Sequence, residues 1–213
     1  ARILLTTSFQ NHFITYHNGG HHRDVATPND LTTAKKGDVF YFFAIKSQIG
    51  GYFKSWRLEA EKIKSKGGNQ LLNPMIVHTI IPWLFLGFIY LFFSIEVTLL
   101  YFLAAIFGIS ILEAQNYFSH YGLKRKQKED GTYERVKVEH SWNSDHVIGR
   151  VFLFELTRHS DHHFSGAKHY QILRSKDESP MLPYGYPAML ILSYFPFLFK
   201  PIMEKQLTKY GMN

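Results

Sequence analysis

The sequence of 213 residues contains no cysteine. Disulfides, thiolate metal sites, iron–sulfur clusters and cysteine nucleophiles are therefore excluded by inventory, and any bound metal must be held by His, Asp or Glu. Internal repeats and low-complexity tracts are missing as well. The formal charge is +7, but the basic runs at residues 54–66 and 124–128 lack interleaved aromatics or a nucleic-acid-binding pattern, so no nucleic-acid partner is expected. Instead they flank a long apolar stretch, as juxtamembrane loops do. The first residues read neither as a signal peptide nor as a targeting sequence, and a start at Ala1 without Met is expected from a cleaved presequence or an incomplete N-terminus.

What is present in excess is aromatic. Nineteen Phe, 13 Tyr and 3 Trp make up 16% of the chain, and they bunch in particular stretches. The length suits one structural unit with a short C-terminal appendix. Residues 75–94, MIVHTIIPWLFLGFIYLFFS, carry no formal charge and match the length of a membrane-crossing helix. VTLLYFLAAIFGISIL, residues 97–112, follows after a very short link and runs into a more polar turn, EAQNYFSHYG, where the chain would leave the membrane. Pro82 and His78 do not exclude spanning, because neighbouring helices cover such breaks. The expected fold class is thus all-α and integral to the membrane: a transmembrane helical hairpin with a histidine-rich metal-binding domain on one membrane face.

A hairpin returns the chain to its starting side, so everything before residue 75 shares a compartment with everything after residue 122. The implied organisation has three parts: residues 1–70 with a first histidine-rich segment and surface helices, residues 71–120 with the hairpin, and residues 121–213 with a second histidine-rich segment and an interfacial region. An amphipathic surface helix is expected in YFKSWRLEAEKIKSK, and a hairpin turn at Asp130-Gly131. Pro183, Pro187 and Pro196 break residues 181–201, which read as interfacial. The positive-inside tendency assigns the histidine side to cytoplasm or matrix, in a bacterial inner membrane or an organellar one. Rings from residues 83–102 offer a wall for a hydrocarbon channel, though most are expected simply to face lipid.

Of twelve histidines, seven fall into three sets. HNGGHH puts His17 and His21 on one helix face with His22 about a hundred degrees round. NYFSHYG carries His120. HSDHH spaces His159, His162 and His163 three and four apart, so all three can lean toward one point. Imidazole nitrogens suit iron, zinc or copper, and seven exceed what one four-coordinate zinc uses, which favours two metals. Iron is the natural choice for oxygen chemistry. Asp161 is a candidate to accept a ring N–H. His12, His78 and His169 are read as structural.

HNGGHHRDVATPND, WRLEAEKIKSKG, NYFSHYG, DGTYERVKVEHSWNSDH, LTRHSDHH and YQILRS followed by LPYGYPAM resemble, in order, the successive signatures of the integral-membrane alkane hydroxylases, within the membrane fatty acid desaturase and hydroxylase group. The resemblance implies two non-haem irons, dioxygen activation and terminal hydroxylation of an alkane or fatty acyl chain drawn from membrane lipid. It implies a rubredoxin-like electron donor. The family's ligand positions match His17, His21, His22, His120, His159, His162 and His163. His140 and His146 also fall in a family signature, and a supporting role behind the ligands is expected for them.

Two departures stand out. The family's further HxxxH box, on more N-terminal helices, has no counterpart in these residues, and Tyr16 and Ser119 occupy positions where the family has Glu. Carboxylates there would orient imidazoles. One expectation is that a partner chain or a preceding segment supplies the missing helices and ligands. The alternative is a catalytically inactive, hydroxylase-derived structural subunit of a larger membrane complex. A soluble histidine-metal hydrolase is a third class, against which the apolar hairpin argues.

Overall fold

The computed structural model describes residues 2–212, and the regular elements among them are helices. Ten α-helices follow in order: α1 (Arg2–Thr7), α2 (Phe13–Tyr16), α3 (His22–Asp24), α4 (Phe40–Ser65), α5 (Pro74–Phe92), α6 (Ile95–His120), α7 (Val147–Phe152), α8 (His159–Phe164), α9 (Tyr186–Ser193) and α10 (Pro196–Lys209). Among the described residues, β structure is limited to two isolated bridges. One of them, Gln127 with Tyr133, closes the turn expected at Asp130-Gly131, where Gly131 adopts a φ of 79°.

Local chemistry sets the ends of the apolar hairpin. Asn73 caps α5 by accepting from the Met75 N–H at 2.9 Å, and Pro74 occupies the first turn, where its missing N–H costs nothing. The Ser94 carbonyl accepts from the Thr98 N–H at 3.1 Å and so starts α6. Both helices are long and apolar enough to cross a membrane, and only 17% of the α5 window and 11% of the α6 window are buried. A helix in the core of a soluble protein would be covered on most sides. Here Trp83, Leu84, Leu91, Leu100 and Phe107 stand exposed, an apolar surface that water does not tolerate at this extent. The chain is an integral membrane protein.

The expected polar turn after Leu112 is instead two further helical turns. α6 continues to His120 because the side chains following the apolar span are themselves core: Ala114, Tyr117 and Phe118 are buried. The helix stops at Tyr121-Gly122, where Gly122 takes a φ of 75° and a Cβ would stand 2.6 Å from Leu207 Cδ1. Only glycine satisfies both conditions. The expected surface helix is likewise longer than its amphipathic portion, beginning at Phe40.

The chain divides into two compact units. The first comprises the N-terminal residues through Gly20 and Gln48–Glu113. Within it Phe9 packs edge-on against Trp83 and Phe102, with centroids 5.1 and 5.8 Å away, and Tyr52 Oη lies 2.8 Å from Thr79 Oγ1. The second comprises His21–Ser47 and the chain from Ala114 onward. Its core gathers Trp142, Tyr117, Tyr121, Phe40, Phe199 and Leu207, with the Trp142 indole N–H donating to the Tyr121 carbonyl at 2.9 Å. The C-terminal prolines leave two short helices, α9 and α10, packed on one another.

Candidate metal centre

Three separate stretches of the second unit bring imidazoles together. His21 closes a π-helical turn, His17–His21, and His22 opens α3. The wider turn arises in HNGGH, where a Cβ on Gly20 would come within 2.8 Å of the Tyr16 ring. π-turns of this kind recur at functional sites because they re-aim a side chain. His120 is the last residue of α6, and α8 presents His159, His162 and His163 at the spacing that faces one direction.

One ring nitrogen from each of His21, His120, His159 and His163 lies within 4.8 Å of the other three, and all four residues are buried. His159 Nε2 stands 3.0 Å from His120 Nε2 and 3.1 Å from His163 Nε2. A neutral imidazole nitrogen has either one proton to donate or one lone pair to offer. A cation among converging lone pairs satisfies all of them at once, whereas a hydrogen-bonded triad of such rings does not. The donor set therefore fits a borderline transition metal such as iron, zinc or copper.

Two more imidazoles adjoin this group. The His22 ring stacks on His163 with centroids 4.6 Å apart and meets His162 edge-on at 4.7 Å. Burial, reinforced by the nearby His162 and His21 rings, lowers the His22 pKa to about 3. Burial followed by His21 lowers His162 to about 4. His163 lies well below its ordinary range through burial and then the surrounding histidines. These rings are held neutral at pH 7, the state in which a metal can use their lone pairs.

The pH consequence has a definite sign. Imidazoles with depressed folded-state pKa values resist protonation that the unfolded chain accepts near its ordinary 6.5, so acid favours unfolding. The stability they contribute is complete above about pH 6.5 and is lost as pH falls toward 3 to 4. The metal-free protein is expected to show a falling melting temperature from pH 7 to pH 4.5. A flat profile across that range would contradict it.

A carboxylate that local pattern did not single out reaches one ring of the four-imidazole group. Asp30 Oδ2 lies 2.8 Å from His21 Nδ1, both groups being buried. Asp30 is fixed in turn by Thr32, whose hydroxyl donates to Oδ1 at 2.8 Å, and by Thr33, whose hydroxyl donates to Oδ2 at 2.6 Å. A proton held on His21 Nδ1 by this carboxylate directs the Nε2 lone pair inward. The available signal was the run Asp30-Leu31-Thr32-Thr33, an Asp followed by two hydroxyl residues able to clamp it in a turn.

Asp161, singled out between the ligands of HSDHH, accepts from Lys168 Nζ at 2.6 Å and from the Arg174 N–H at 2.8 Å. Burial opposes its ionisation, but these two donors outweigh burial and hold the carboxyl below its ordinary range. His140 is buried, with Nδ1 accepting from the Lys137 N–H at 2.9 Å and Nε2 3.4 Å from Glu134. The exposed His146 stands at the position before α7, and its side chain makes no capping hydrogen bond there. Ser119 is wholly buried with its hydroxyl 3.3 Å from Tyr186 Oη, and His120 Nδ1 has Ser141 Oγ at 3.4 Å. In the first unit, His17 stacks on Phe13 at 4.8 Å. There Tyr16 is buried, its ring contacting the positions where Gly20 and Gly51 lack a Cβ.

Exposed membrane-length helices joined to a buried, all-imidazole donor cluster define a histidine-rich integral membrane protein of metal-binding character. The chain belongs to the fatty acid desaturase family, whose model matches residues 2–193. Within that family its similarity runs to alkane hydroxylases. It is 37% identical over 217 residues to the alkane 1-monooxygenase of Ectopseudomonas oleovorans, covering 99% of this chain and 53% of the relative. It is 36% identical over 221 residues to alkane 1-monooxygenase 1 of Alcanivorax borkumensis, with the same coverage. The xylene/toluene monooxygenase hydroxylase component XylM of Pseudomonas putida is more distant, 28% identical over 92% of this chain and 53% of the relative. The chain spans about half the length of the curated relatives it matches.

Proposed function

We propose that this chain provides most of the imidazole ligands of a non-haem diiron centre in a membrane monooxygenase that hydroxylates the terminal carbon of an alkane or fatty acyl chain. The observation that carries the reading is the buried group of His21, His120, His159 and His163, with nitrogens in mutual reach of one ion. These four hold one metal. His22 and His162 contribute to the second, and an HxxxH box from a preceding segment or a partner chain completes it.

Iron, when bound, supplies dioxygen activation and the oxidising power to attack an unactivated C–H bond, with electrons from a rubredoxin-like donor. The chain's own residues set the conditions for that chemistry. Asp30 keeps the His21 proton on Nδ1. Burial of the cluster excludes water and keeps the ligand rings neutral. The exposed apolar faces of α5 and α6 sit in lipid, the phase from which a linear hydrocarbon is drawn. The membrane is a bacterial inner membrane or an organellar one, with the cluster toward the cytoplasm or matrix.

A second reading, the inactive hydroxylase-derived structural subunit, draws on Ser119. Its hydroxyl faces Tyr186, where the family resemblance puts a carboxylate beside the His120 ligand. Elemental analysis of the protein purified from its native membrane separates the two. Stoichiometric iron is the expected result. Absence of every transition metal would remove the oxygenase reading and leave the subunit.

A further inference from the structure

Large apolar side chains also stand exposed on the second unit, outside the two spanning helices. In α7, Val147, Ile148, Val151 and Phe152 are 66–77% exposed, and Phe154 just beyond it is 66% exposed. The i, i+1, i+4, i+5 spacing puts the four α7 residues on one face of the helix. Gly149 lies on the other side. It is buried, and a Cβ there would stand 3.0 Å from Thr157 Cγ2 and 3.8 Å from Tyr186 Cβ. With six residues α7 is too short to cross a bilayer, so its apolar face needs a different cover.

Charge and backbone narrow what that cover is. The formal charges from residue 145 to residue 158 are Asp145, Arg150, Glu155 and Arg158, and all four are paired. Arg150 meets the two Glu155 oxygens at 2.8 and 2.9 Å, and Arg158 reaches Glu155 at 3.3 Å and Asp145 at 3.4 Å. A segment neutralised in this way offers no net charge to an acidic or basic partner, and it can approach hydrocarbon without stranding an ion. Phe154 and Glu155 adopt φ values of 50° and 61°, a region that bulky residues avoid. In water an exposed phenyl ring adds to that strain, whereas in an apolar phase its burial offsets it.

The level of α7 along α6 matches the surface of the bilayer. A hydrocarbon core of about 30 Å takes about 20 helical residues, so a core entered at Ile95, the start of α6, ends near Ala114. Tyr186, against which Gly149 rests, packs edge-on against Phe118 with centroids 4.8 Å apart and has its hydroxyl 3.3 Å from Ser119 Oγ. Those residues stand about 6 to 8 Å beyond Ala114 along the helix. The headgroup layer on each side of a bilayer is about 5 to 8 Å deep.

We infer that α7 and the turn after it form an interfacial anchor that lies in the headgroup layer, with Val147, Ile148, Val151 and Phe152 among the upper acyl carbons of the lipid. Short amphipathic helices dock on bilayers in this manner, their apolar face sunk to the boundary between headgroups and chains. The anchor goes beyond the proposed hydroxylation and does not rest on it.

The lack of cysteine makes single-site labelling clean. The full chain in lipid nanodiscs carries a nitroxide on Ile148→Cys, Phe152→Cys, Phe107→Cys or Lys128→Cys, and collisions with dissolved oxygen are compared with collisions with a water-soluble nickel chelate. Phe107, exposed within the span of α6, calibrates lipid, and Lys128, exposed near the Asp130-Gly131 turn, calibrates water. The oxygen-to-nickel ratio at Ile148 and Phe152 is expected severalfold above that at Lys128 and below that at Phe107, as a shallow position in lipid requires. A ratio at both sites equal to that at Lys128 would put α7 in water, and labels shielded from oxygen and nickel alike would put protein over it. Either result overturns the proposal. The readout needs no metal, so its failure is distinct from failure of the proposed function.

Discussion

His159→Ala is expected to empty the metal site. Its Nε2 lies between two others, 3.0 Å from His120 and 3.1 Å from His163, so the deletion removes a donor with two close neighbours. Loss of a supporting residue behind a metal ligand typically costs tenfold to a hundredfold in affinity, and loss of the ligand itself is expected to cost at least about a hundredfold. The check is metal per chain after dialysis against a weak chelator, with circular dichroism to confirm retained helix. His169→Ala, at an exposed position on another segment, serves as the control and should retain its metal. Full occupancy in His159→Ala would show that the four-imidazole group is a packing feature. Terminal hydroxylation, where the complete enzyme is assayed, should fall with the metal.

The second large effect is expected from Asp30→Asn. The substitution keeps size and turn geometry but replaces a carboxylate that receives the His21 ring and two threonine hydroxyls. An amide is a weaker acceptor and can present its NH₂ to Nδ1, which stabilises the wrong tautomer and turns the His21 lone pair away from the other ligands. Metal affinity is expected to drop tenfold to a hundredfold with little change in melting temperature of the metal-free protein. Competition with a chromophoric chelator measures the first quantity. A change below twofold would mean that Asp30 serves only the turn. Asp161→Asn offers the contrast: with its carboxylate on Lys168 and Arg174, it should shift thermal stability more than metal affinity.

Much of this arrangement was legible from local pattern. Uninterrupted apolar runs of membrane length mark α5 and α6 because lipid permits no alternative to a self-satisfied helix. The HSDHH spacing marks a shared face because α-helical geometry leaves no choice. The end of α6 was not legible at residue 112. Asn116 and Ser119 look like an exit into water, yet both are buried once Tyr117, Phe118 and Tyr121 join the core of the second unit. A polar residue reads as exposed until its partners are known. Asp30 was missed for the same reason: nothing in its neighbours along the chain announces that the ring it will meet is nine positions earlier.

The chain alone determined which chemistry was available. Without a thiol and with twelve histidines, a metal could only be an imidazole and carboxylate affair, and two apolar segments of membrane length pointed to helices in lipid. Tertiary structure decided which histidines serve together and which carboxylate backs them. Those choices depend on distances of a few ångströms between segments about a hundred residues apart, and hydropathy and spacing carry no information about contacts at that separation. Folding brings His21, His120, His159 and His163 within reach of one ion and sets Asp30 behind the first of them.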